Sequence, residues 1–215
     1  MMKYTTVIFD LDGTLLNTLD DLRDSLNDIL LQKGFAERSL EEVKRFVGNG
    51  VRSLVRSAVP EVCTEEDVTN FLELFKEHYR NNMQNKTRPY NGIMELLLDL
   101  NRFNYKIGIV SNKYDTAVKS LSRTYFGNLI PVAIGESADV KRKPAPDSVF
   151  MAIRELGSDI RNTIYVGDSD TDVQTAKNAG IPCIGVTWGF RSREVLREAG
   201  ADYLIDTPRE LLTLL

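Results

Sequence analysis

Two periodicities divide this chain. Leu19, Leu22, Leu26, Ile29 and Leu30 recur at helical spacing up to Gly34, predicting an amphipathic helix that opens with a capping start at Thr18-Leu19-Asp20-Asp21. Ser39-Leu40-Glu41-Glu42 opens a second helix, with Val43, Phe46 and Val47 on one face and Gly48 as its stop. Val51, Leu54, Val55 and Ala58 keep the helical spacing to Pro60. Thr64 then caps a last segment through Val68, Phe71, Leu72, Phe75 and Tyr79. From Tyr105 onward the pattern changes to short β-branched runs at 107–110, 132–134, 163–166, 183–186 and 203–205, alternating with helical stretches as parallel βαβ units do.

One more apolar run, at 4–9, precedes the helical block and belongs with the later strands. Roughly ninety residues separate it from the next strand, where a crossover needs only a dozen or more. The pattern therefore predicts an α/β protein: a Rossmann-like parallel-sheet core, 1–15 and 86–215, with an all-helical domain, 16–85, inserted after the first strand. The expected hinges are Leu15 to Thr18 and Lys86 to Gly92, the latter containing Pro89.

Composition narrows the function classes. A chain of 215 residues can bury a substantial core without staples. A net charge of −4, with Lys and Arg interspersed, argues against a nucleic-acid or anionic-membrane surface, so an anionic substrate must be held locally. Cys63 and Cys183 lie far apart in apolar neighbourhoods and read as reduced core thiols, leaving no zinc site. The start runs directly into the first strand with no room for a signal peptide, and no apolar run approaches membrane-spanning length. A cytoplasmic protein, monomeric or weakly dimeric, is expected.

Candidate chemistry sits where apolar runs end. Val7-Ile8-Phe9 drives into Asp10-Leu11-Asp12-Gly13, two carboxylates and a glycine at the end of a parallel strand, where open α/β sheets bind ligands. Gly13 removes a side chain that would keep a substrate away. A solvated turn after a strand is the plain alternative. A calcium loop is excluded, because Leu15 and Asp21 stand where an EF-hand needs glycine and glutamate. Ile107-Gly108-Ile109-Val110 runs into Ser111-Asn112, and Thr163-Ile164-Tyr165-Val166 into Gly167-Asp168-Ser169-Asp170-Thr171-Asp172. Between them lies Lys143-Pro144-Ala145-Pro146-Asp147. Together, in this order, these four segments resemble the haloacid dehalogenase superfamily of phosphotransferases, over essentially the whole chain.

The resemblance implies a phosphatase of small phosphorylated metabolites. Asp10 would attack phosphorus to give an aspartyl-phosphate, and Asp12 would serve as acid for the leaving oxygen and then as base for water. Two anions facing a phosphate dianion need a cation between them. Mg2+ is expected, with Asp10, Asp168 and, by resemblance, the backbone carbonyl of Asp12 as ligands and Asp172 behind them. A helix N-cap also accounts for 167–172, with Thr171 or Asp170 as the cap. Ser111 and Asn112, with Gly13, would bind phosphoryl oxygens, and Lys143 would pair with Asp10 and the phosphoryl group. A solvated basic loop at Lys141, Arg142 and Lys143 is the alternative there.

Gly48-Asn49-Gly50 resembles the specificity loop of helical caps in the phosphoglycolate phosphatase branch. Lys113 after Ser111-Asn112 and the stretch from Val186 to Asp202 look like that branch too. Arg52 is then a candidate for a carboxylate or second phosphate on the substrate, or else an exposed helix arginine. Asn17-Thr18 departs from the Asp-Ser common in relatives. Pyrophosphatase, sugar-phosphate phosphatase and phosphomutase are the runners-up in the same fold. From another class, a receiver-type signalling module fits less well, because its acidic pair is adjacent and it lacks a cap. The only histidine, His78, falls in the helical block, which argues against a Ser-His-Asp site, and no P-loop or dinucleotide fingerprint is present.

Overall fold

A computed structural model describes residues 4–215, so the first three residues of the expected core domain lie outside the described residues. Six strands form one parallel sheet: β1 (Thr6–Phe9), β4 (Lys106–Tyr114), β5 (Val132–Glu136), β6 (Thr163–Gly167), β7 (Cys183–Val186) and β8 (Tyr203–Ile205). Their order is β5-β4-β1-β6-β7-β8, which puts the first strand at the centre. Every residue of β1 is buried, as a strand covered on both faces requires. Two short strands, β2 (Leu16–Asn17) and β3 (Arg88–Pro89), pair with each other in a separate ribbon.

The register places the chemistry. Phe9 pairs with Ile109 on one side and Val166 on the other, so the residues that follow each strand converge at one edge of the sheet. The Asp10 amide still donates to the Val166 carbonyl at 2.9 Å, carrying the ladder one residue beyond β1. The runs at 183–186 and 203–205 match their strands, whereas the first strand starts at Thr6 and β4 extends well beyond 110. Ser111 and Asn112 therefore lie in extended chain, not in a turn after the strand, and the β4–β5 register shifts between Val110 and Tyr114. Helices α5 (Ile93–Arg102), α6 (Asp115–Phe126), α7 (Asp147–Glu155), α8 (Asp170–Ala179) and α9 (Arg193–Ala199) join the strands. Val149, Ala152 and Ile153 of α7, Val173 and Ala176 of α8 and Leu196 of α9 share one core with Ile8, Val110 and Tyr165.

The chain divides into two compact units, Asn17–Arg88 and the rest. The helical unit contains α1 (Leu19–Gln32), α2 (Leu40–Phe46), α3 (Val51–Ala58) and α4 (Glu65–Asn82). Ser39 and Thr64 cap α2 and α4 in reciprocal capping boxes with Glu42 and Asp67. Thr18 stands at the N-cap of α1 but its side chain makes no capping bond; the Leu19 amide donates to Asn17 Oδ1 at 3.3 Å. Asn17, one residue earlier than expected, supplies the acceptor. His78 Nε2 lies 3.0 Å from Asp28 Oδ2 within this unit, and both cysteines are free and buried. No helix among the described residues is long and apolar enough to cross a membrane.

Asp21, buried in the first turn of α1, closes the helical unit. Its Oδ2 accepts from the amides of Lys86 at 3.0 Å and Thr87 at 2.8 Å, and its Oδ1 from Lys86 at 2.9 Å. Truncation would strand the buried Thr87 N–H, where an unmade bond is expensive, and take both acceptors from the part-buried Lys86 N–H. Asp21→Ala should destabilise the protein by about 2–4 kcal/mol, read from urea unfolding, and should speed amide exchange at Lys86 and Thr87. Unchanged exchange at both amides would dismiss the closure.

Candidate active site

Asp10 follows the central strand and is buried, with its Oδ1 2.7 Å from the Lys143 ammonium. That ammonium is itself buried. It also donates to Asp172 Oδ1 at 2.7 Å, Tyr165 Oη at 3.1 Å and the Val110 carbonyl at 3.2 Å. Lys143 is therefore no solvated loop residue. Its backbone is gripped by Asn112, whose Oδ1 accepts from the Lys143 amide at 2.7 Å and whose Nδ2 donates to the Lys143 carbonyl at 3.0 Å. The Asn112 side chain thus holds the lysine's main chain in place.

Asp168 and Asp172 follow β6. Ser169, and neither Thr171 nor Asp170, caps α8: its hydroxyl accepts from the Asp172 amide while Asp172 Oδ2 accepts from the Ser169 amide and hydroxyl. Asp172 therefore spends one oxygen on the helix start and turns the other to Lys143 and Tyr165. Asp168 Oδ1 accepts from the Thr14 hydroxyl at 3.1 Å and its Oδ2 from the Phe190 amide at 2.7 Å. A side chain at Gly13 (φ +92°) would collide with this carboxylate, and one at Gly189 would meet both it and the Gly13 carbonyl. The glycine at position 13 makes room for Asp168.

Asp12 faces a second buried ammonium. Lys113 Nζ lies 2.9 Å from Asp12 Oδ1 and 3.0 Å from Oδ2, and the Lys113 amide donates to Ser111 Oγ at 3.3 Å. Lys113, Tyr165 and Thr14 stand at the centre of the geometry without having been assigned roles from the sequence. Gly48, Asn49 and Gly50 form the turn between α2 and α3 in the helical unit, with Gly48 and Gly50 at positive φ. Arg52 donates to Glu65 Oε2 at 2.6 Å and Thr69 Oγ1 at 3.1 Å on that unit's surface.

Charge is out of balance around Asp10. Candidate ligand oxygens of Asp10, Asp168 and Asp172 lie within 4.8 Å of one another, and all three residues are buried. Burial opposes the charge of Lys143, yet Asp10 and Asp172 outweigh it and hold its pKa well above the usual lysine value. Burial and the neighbouring Asp172 push Asp168 up to about 7, against the pull of the Phe190 amide and Thr14. Burial likewise raises Asp10 well above the ordinary carboxylate range, with Lys143 pulling it back. An all-oxygen set of buried carboxylates of this kind fits a hard divalent cation.

Comparison with known proteins agrees with this chemistry. The family model for haloacid dehalogenase-like hydrolases matches residues 7–186. A phosphoglycolate phosphatase of Mesorhizobium japonicum is 35% identical over 201 residues, 90% of this chain and 87% of the relative. A phosphoglycolate phosphatase of Agrobacterium fabrum is 34% identical over 93% of this chain and 87% of its own. A crystal structure from Lactobacillus delbrueckii subsp. bulgaricus superposes with a TM-score of 0.93 at 35% identity, covering 100% of this chain and 99% of the other. The receiver-type alternative has no place beside such matches. A parallel sheet whose strand ends gather three buried aspartates around one lysine, and a family match running from the first strand through β7, lead to one conclusion: the chain belongs to the haloacid dehalogenase-like hydrolases.

Proposed function

We propose that this phosphatase hydrolyses 2-phosphoglycolate through an aspartyl-phosphate on Asp10, with Mg2+ as its cofactor. The observation that carries the reading is the Asp10–Lys143 contact of 2.7 Å at the end of the central strand, in a chain 35% identical to a phosphoglycolate phosphatase. Asp10 Oδ attacks phosphorus and the bond from phosphorus to the ester oxygen breaks. Asp12 gives its proton to that oxygen. Water then attacks the phospho-aspartate, Asp12 takes the water's proton, and the bond from phosphorus to Asp10 breaks to release phosphate. Lys143 orients Asp10 and offsets charge on the phosphoryl group, and Ser111 with nearby amides and Gly13 holds its oxygens.

Asp10, Asp168 and the Asp12 carbonyl would hold the metal, Asp172 supporting Lys143 behind them. Bound there, Mg2+ supplies charge neutralisation for the phosphoryl oxygens. The helical insertion would act as the cap, with 48–50 and Arg52 as its specificity elements. The free, buried Cys63 and Cys183 suit a cytoplasmic location.

Asp10→Asn should reduce turnover on the order of 10⁴-fold or more while the thermal transition persists; wild-type turnover would reject the covalent route. Lys143→Ala should lower kcat about 10²–10³-fold and Lys141→Ala hardly at all, because Lys141 is not among the contacts of Asp10. Comparable losses would return the role to the loop's general charge. Cation binding should also carry a pH signature. Asp168 holds a proton up to about pH 7, so Mg2+ must displace it below that pH and meets a bare carboxylate above it. Calorimetric Mg2+ affinity should therefore rise as pH climbs through about 7 and then level off. A flat profile between pH 5.5 and 8.5 would remove Asp168 from the metal site.

A further inference from the structure

Each of the two reacting carboxylates has its own buried lysine. Lys143 accounts for Asp10, but the proposed chemistry gives Lys113 no task, although its side chain is 5% exposed and its ammonium is held against both oxygens of Asp12. Burying an ammonium is costly, and its position is therefore informative. We infer that Lys113 binds the carboxylate of the substrate's leaving group, making the α/β core itself a selector of esters that carry an acid one carbon from the ester oxygen. The inference rests on the phosphoglycolate reading above and deepens it.

The argument is one of reach. Asp12 serves the ester oxygen, so in the reactive complex that oxygen lies within a hydrogen bond of Asp12, and Lys113 Nζ lies 2.9–3.0 Å from the same carboxylate. In 2-phosphoglycolate one methylene separates the ester oxygen from the carboxylate carbon, placing the carboxylate oxygens about 3 Å from the ester oxygen. A lysine that touches the acid serving one oxygen is thus in range of the other. An ammonium has three donors and can hold Asp12 and a substrate carboxylate together. Its approach is set by extended chain: Lys113 lies at the shifted end of β4, with its amide on Ser111 Oγ. Arg52, the other cation considered for this task, is already paired with Glu65 and Thr69.

The test compares two esters on the same skeleton, 2-phosphoglycolate and ethyl phosphate, which lacks only the carboxylate. Wild type should prefer 2-phosphoglycolate in kcat/KM. Lys113→Gln should lower that preference about 30-fold, the size of one charged hydrogen bond. Any damage to Asp12 falls on both esters and cancels in the ratio. If wild type shows no preference, the phosphoglycolate reading fails and the inference falls with it. A wild-type preference that survives in Lys113→Gln overturns the inference alone, as does an equal loss on both esters in a variant that melts normally. Should Lys113→Gln melt more than about 10 °C below wild type, Lys113→Met, which keeps the buried stem, is read by the same ratio.

Discussion

A single buried ammonium, that of Lys143, is the constraint on which the rest of this structure depends. It is in contact with two carboxylates, a phenol and a backbone carbonyl, drawn from the residue after β1, the middles of β4 and β6 and the start of α8. Removing a partner from such a buried charge typically costs about 3–5 kcal/mol, so these elements have little freedom to drift independently. The parallel register of β1 with both neighbours is what allows one atom to reach all of them. Asn112 then fixes the lysine's backbone from β4, so that the charge is aimed by the sheet and not by its own loop.

The site is also assembled at its own electrostatic expense. Three acids share one ammonium in a dry region, and Asp168 answers by holding its proton up to about pH 7. Such an arrangement is poor for stability and suited to receiving positive charge. The capping box of α8 belongs to the same economy of groups: Asp172 starts a helix with one oxygen and orients Lys143 with the other. One residue thereby couples the helix start to the reacting centre.

The strands and the acids were legible because their signals are local. Alternation of apolar runs with helical stretches, and carboxylates placed just beyond those runs, survive any choice of register. Lys113 was not legible as a partner of Asp12, because the register shift after Val110 breaks the period that would have predicted its direction. Tyr165 read as an apolar strand residue, and its hydroxyl gains meaning only when α8 and Lys143 arrive from elsewhere in the chain. The sequence does not single out Ser169 as the cap, because Asp170 and Thr171 are equally good capping types. Gly13 reads in the sequence as room for a substrate, and the structure adds a second reason for it, the carboxylate of Asp168 from far along the chain.

Asp21 has a consequence for how such a protein can change over time. By bonding across 65 and 66 positions of sequence to Lys86 and Thr87, it brings the two ends of the helical insertion together within that insertion. The β2–β3 ribbon pairs the chain at these same two ends, whatever length of chain lies between them. Closing a longer loop adds little further entropy cost once its ends are tied, since the cost grows only logarithmically. The insertion can therefore lengthen, shorten or be exchanged for another body without disturbing the register that aligns β1 with β4. The chemistry of the sheet and the content of the insertion are free to evolve on separate schedules.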